Sequence, residues 1–71
     1  MATFSDRLKE LRKAKGVTQK QVADFLSIAE RNYRRYEAGD VDPTGSTAIK
    51  LADYFEVTID YLLGRDNPPT M

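Results

Sequence analysis

The stretch that most constrains this chain is "FLSIAER", residues 25–31, because it joins two runs of helical periodicity across only about three residues. Upstream, Thr18 and Gln21 have capping-box spacing and open a helix through about Leu26, with Val22, Ala23 and Leu26 on its apolar side. Downstream, "ERNYRRYEA" runs to Gly39, a residue type that ends helices by turning left-handed. So short a connection forces the two helices into a sharp crossing. It leaves the second one projecting from the body.

The remaining punctuation predicts three more helices. Thr3 and Asp6 form a weaker capping box ahead of Phe4, Leu8, Leu11 and Lys15, a stripe that stops at Gly16. Pro43 keeps "DVDPTGST" a loop, after which Thr44 caps a helix with Ala48, Leu51, Ala52 and Phe55 on one side. Thr58 caps a last short helix, "IDYLL", stopped by Gly64. No run alternates with period two. The fold class is therefore all-α, a compact five-helix bundle over residues 1–64, with 65–71 as a tail or linker. With 71 residues and no cysteine, the core has to hold this single domain without a disulfide or a cysteine-bound zinc.

Charge is where function starts to show. The formal net charge is zero, but residues 1–36 hold nine Lys/Arg against four Asp/Glu, and residues 37–71 hold two against seven. A polyanion responds to the local field, and one half of the chain supplies it. On a wheel of about 100° per residue, turning Tyr33 inward puts Tyr36 and Glu37 on the packed side. Arg31, Arg34 and Arg35 then share an outward arc. An arginine cluster on an ordinary helix is often just a solvated face. On the second helix of a helix-turn-helix, guanidinium forks have a use: they bond guanine O6 and N7 or neutralise phosphates.

These residues carry a family resemblance. "RKAKGVTQKQVA", the "YEAG" that ends the third helix, and "IKLADYFEVTIDYLLG" together resemble the lambda-repressor-like, Xre/Cro-type DNA-binding domain, from about Phe4 to Gly64. The resemblance implies a sequence-specific, double-stranded DNA-binding transcriptional regulator. By base rate it is a repressor, acting as a dimer on operator half-sites with helix 30–38 in the major groove. Gln19 matches a glutamine that bonds a phosphate and braces the recognition helix, and its neighbours Thr18 and Lys20 join the same DNA-binding set. Glu30, Arg31, Asn32, Arg34 and Arg35 match positions facing bases or backbone. Arg31 and Arg35 are the expected base readers; Arg34, nearer the helix flank, is the expected phosphate contact. Arg12 and Glu37 match an internal salt bridge between the first and third helices. Tyr54, Tyr61 and Leu62 form the candidate dimer surface. Bacterial or phage origin and a cytoplasmic, nucleoid-associated location follow from the same resemblance.

The departures are informative. Where the family has a serine or threonine at the end of the turn, this chain has Ala29, a lost cap worth ~1 kcal/mol. Ser27 and Glu30 have capping-box spacing, so the third helix is expected to start two residues early with Glu30 in a structural role. The rival reading makes Glu30 an acceptor for a cytosine N4 amine. Gly45 and Ala48 are smaller than usual, and Tyr33 and Phe25 are expected to fill the volume. Phe25 as an exposed partner contact is the alternative.

Other chemistries find little support. Asp40, Asp42, Thr44 and Gly45 mimic part of a calcium loop, but Leu51 stands where its bidentate glutamate belongs. There is no histidine, cysteine or phosphate-binding glycine loop, and so small a chain offers little room for a cleft. The reading is accordingly no enzyme, no cofactor, no metal, no small-molecule ligand and no membrane span. The serious alternative is a protein–protein module on the same fold that has lost DNA binding. Salt-sensitive retention on heparin or random duplex separates the two.

Overall fold

The computed structural model describes residues 3–64. Five helices follow one another: α1 Phe4–Lys15, α2 Gln19–Leu26, α3 Glu30–Ala38, α4 Gly45–Phe55 and α5 Ile59–Leu62. No strand occurs among the described residues. α3 packs against both α1 and α2, while α4 and α5 close against each other and against α1. The centre is formed by Leu8, Val22, Tyr33, Leu51 and Leu62, all essentially inaccessible to solvent. Tyr33 is the largest of these side chains and supplies core volume at the centre.

The helix starts obey their local chemistry. Thr3 and Asp6 cap each other reciprocally, as do Thr18 and Gln21. Thr44 accepts from the Thr47 amide at 3.3 Å and Thr58 from the Tyr61 amide at 3.0 Å. Each hydroxyl occupies one of the four amides that a helix start leaves without a partner. At the other ends, Gly16 and Gly39 adopt φ of 76° and 82°, where a side chain would be strained.

The turn between α2 and α3 differs from expectation. Ser27 does not cap α3; it is the left-handed C-cap of α2, with φ 61°. Its amide and that of Ile28 donate to Asp24 and Ala23 carbonyls at 3.1 and 3.0 Å. Held in that conformation, Ser27 terminates one helix and takes no part in starting the next. α3 begins at Glu30 with Ala29 as N-cap, and no side chain bonds its first amides.

Two further expectations change. Leu62 is fully buried in the core, so it is removed from the candidate dimer surface. Phe25 both packs and protrudes: its ring lies 4.6 Å from that of Tyr54, yet it stays 44 % exposed. Tyr54 also meets Phe55 edge-on. Tyr61 is held from α1, with the Arg7 guanidinium 4.0 Å from its ring centre and Arg7 Nη1 donating to its carbonyl oxygen at 3.1 Å.

Candidate nucleic-acid interface

Every third or fourth residue of α3 turns inward, and the pattern sorts its polar groups into two populations. Tyr33 and Glu37, one turn apart, are buried. Glu37 is the one charged residue buried among the described residues. A buried carboxylate is costly unless its lone pairs are filled. Here they are. Arg12 from α1 grips both oxygens, Nε to Oε2 at 2.6 Å and Nη2 to Oε1 at 3.2 Å. The Tyr33 hydroxyl donates to Oε2 at 2.6 Å, and Gln19 Nε2 from the start of α2 donates to Oε1 at 3.1 Å. Arg12 Nη1 also donates to the Val17 carbonyl at 3.3 Å. One carboxylate therefore ties α1, α2 and α3 together.

The electrostatics follow the geometry. Burial works most strongly against ionising Glu37, but the hydrogen bonds from Arg12, Tyr33 and Gln19 outweigh it and hold the carboxyl below its ordinary value of 4.5. The hydrogen bond to Glu37 raises Arg12. Burial, reinforced by the bond to Glu37, pushes the Tyr33 phenol well above its ordinary 10. The anion sits on Glu37 and the proton stays on Tyr33. No buried side-chain polar atom among the described residues lacks a hydrogen bond.

The Arg12–Glu37 bridge and a brace on α3 from Gln19 are expected from the resemblance; the Tyr33 member is not. Of the two duties expected of Gln19, the structure describes the brace: its side-chain amide donates inward to Glu37 of α3, and the residue is half-buried. The signal for Tyr33 was present, since a buried phenol needs a partner and Glu37 lies one turn further on. The Tyr33 link does not follow from the family pattern, in which position 33 is apolar.

The outward population is different. Arg31, Asn32, Arg34 and Arg35 are exposed along α3. Glu30, half-exposed, faces Arg34 at 3.8 Å. Ile28, Asn32, Arg35, Tyr36 and Val41 line a shallow cleft of about 270 Å³ beside them. Of the α2 candidates, the Thr18 hydroxyl caps its own helix, accepting from the Gln21 amide at 3.0 Å. Lys20 is exposed and pairs with Asp24 at 3.0 Å. The structure thus brings the α3 candidates onto one open surface and draws Gln19 away from it, into the network beneath.

Comparison with known proteins points the same way. The helix-turn-helix family pattern matches residues 8–62. The HTH-type transcriptional regulator ImmR of Bacillus subtilis is 45 % identical over 64 residues, covering 90 % of this chain and 50 % of that protein. The cryptic phage CTXphi transcriptional repressor RstR of Vibrio cholerae is 43 % identical over 62 residues, 87 % of this chain and 55 % of that one. Among solved structures, a transcriptional regulator from Listeria innocua superposes with a TM-score of 0.86 at 32 % identity, covering 93 % of this chain and 62 % of the other. The P22 c2 repressor, solved with a synthetic operator, gives a TM-score of 0.84 at 20 % identity over 93 % of this chain and all of that one, a likeness of fold alone. The chain spans about half the length of the curated relatives it matches.

Proposed function

Because this chain belongs to the helix-turn-helix family of lambda-repressor-like, Xre-type domains, we propose that it is the sequence-specific DNA-binding unit of a transcriptional repressor that lays α3 in the major groove. One observation carries this reading most directly: the exposed arginines of α3 rest on a buried network that fixes α3 against α1 and α2. A rigid helix with guanidinium groups outward meets the requirement for reading base edges. The exposed Lys20 and Thr18 supply phosphate contacts at the start of α2, and Gln19 serves that contact from beneath by bracing α3.

One such helix is a small footprint, so the working form is a homodimer on half-sites about 34 Å apart. We place the contact on the α4–α5 side, where Ile49 and Ile59 are exposed and Tyr54 and Tyr61 partly so, in place of the buried Leu62. No helix among the described residues is long and apolar enough to cross a membrane. The location we propose is the cytoplasm of a bacterium, in keeping with the bacterial and phage origin of the regulators it resembles. Family and relatives are regulators rather than enzymes.

The test is salt. If the dimer makes roughly six to ten phosphate contacts, log K falls with log salt at about −0.9 per contact. Affinity then drops about 10³–10⁵-fold between about 50 and 200 mM salt. A slope near zero, measured by fluorescence anisotropy on labelled duplex, refutes DNA binding and favours the protein-partner alternative.

A further inference from the structure

Glu30 is the anomaly of the outer surface, a carboxylate on the face that would meet a polyanion. Its charge suits the positive start of α3 wherever the carboxylate points, and the two structural duties that would fix its direction are both weakly performed. Ser27, the only hydroxyl at capping distance in sequence, is committed to ending α2 and does not cap α3. Its ion pair with Arg34 is long, 3.8 Å, between side chains that are 40 % and 56 % exposed, the kind that contributes little to a fold. What the pairing does fix is position. One turn apart on the same flank, an acceptor and a donor fork stand side by side, accessible, in the first two turns of α3.

That arrangement has a complement. The major-groove edge of a G·C pair presents guanine N7 and O6 as acceptors and then the cytosine N4 amine as donor. O6 and N4 are joined by a base-pairing hydrogen bond and so lie about 3 Å apart. The Arg34 Nη2 to Glu30 Oε2 separation is 3.8 Å. The geometry points to Glu30 and Arg34 as a single reading unit for one G·C pair, the guanidinium donating to guanine and the carboxylate accepting from cytosine N4. An A·T pair places its donor between two acceptors, and a reversed pair exchanges the sides, so either leaves the carboxylate against an acceptor. The same pairing argues against Arg34 as a phosphate clamp, because a carboxylate beside the guanidinium repels the phosphate it would hold. Neutral as a pair, the two residues add no charge to nonspecific attraction. Their contribution is discrimination.

This inference rests on the DNA-binding reading above. Its test is selection from randomised duplex by the unaltered chain, Glu30→Gln, Arg34→Ala and the double variant, each first shown by thermal melting to be folded. The unaltered chain should enrich one G·C pair, in one orientation, at one position of each half-site. Replacing or reversing that pair should cost it about tenfold or more. Glu30→Gln and Arg34→Ala should each erase the preference at that same position, and the double variant should lose little more than either single one. The unit is overturned if Glu30→Gln tightens every duplex with the selected pair unchanged, or if Arg34→Ala weakens all sequences alike. Salt-dependent retention without any enrichment overturns the unit alone; no retention even at low salt overturns the DNA-binding reading with it.

Discussion

On its inner face α3 turns Tyr33 and Glu37 toward α1 and α2, while on its outer face the same nine residues turn Arg31, Arg34 and Arg35 toward solvent. The inner charge is fully partnered: Glu37 accepts four hydrogen bonds from three residues. Of the outer arginines, Arg34 makes one long pair. A charge with every bond satisfied fixes one geometry and has nothing left to offer a ligand. A charge with donors to spare is exposed, cheap to rearrange and available. One helix divides its polar residues between holding the fold and offering a surface.

That division is testable from its strongest element downward. Glu37→Ala should cost ~3–5 kcal/mol of stability, since it strands the Arg12 guanidinium and the Tyr33 hydroxyl, and it should be strongly non-additive with Arg12→Ala in chemical denaturation. Additive losses under about 1 kcal/mol would place Glu37 with the outer charges. The same residue sets the acid limb. Its folded value lies below 4.5, so its contribution is full above about pH 4.5 and lost as pH falls through the folded value. Tyr33, raised above 10, behaves oppositely: stability is intact below about pH 10 and falls as pH rises beyond it.

Next, Tyr33→Phe keeps the ring and removes one bond to a buried anion. A loss of about 1.5–3 kcal/mol is expected, together with a Glu37 carboxyl that titrates at higher pH by NMR. An unmoved Glu37 titration would show that the phenol fills space without binding the carboxylate.

The outer face should respond the other way round. Arg31→Ala and Arg35→Ala should each weaken operator binding by ~1–3 kcal/mol while leaving the melting temperature nearly unchanged. Equal losses on random and selected duplex would refute base reading by these two arginines.

Much of this molecule is legible along the chain, because a helix start is a local event. Thr3, Thr18, Thr44 and Thr58 each announce a helix within three residues, and each caps as its spacing implies. Ser27 shows the limit of local rules. Its spacing to Glu30 satisfies one of them, but the residue also sits where α2 must end, and ending α2 takes precedence in the structure. Leu62 shows another: the pattern of a four-residue helix is too short to say which side faces inward. The Arg12–Glu37 pairing was available through resemblance. The one-turn spacing of Tyr33 and Glu37 is legible too, but the Gln19 bond crosses 18 residues and no spacing rule contains it.

The smallest effect tests the border between the faces. Ala29 leaves the first turn of α3 without a side-chain cap, so Ala29→Ser should stabilise the fold by about 1 kcal/mol. No gain in the denaturation midpoint would mean that the orphan amides are already satisfied by solvent.

The clasp of Arg7 on Tyr61 has a kinetic meaning. Those residues are 54 apart in sequence, the widest separation bridged by any of the side-chain hydrogen bonds described, and α5 itself is only four residues long. A segment that short is a poor nucleus, and closing so long a loop onto it comes late in folding. α5 is therefore expected to dock late, and because it carries Leu62 into the buried centre, its docking is the step that closes the core.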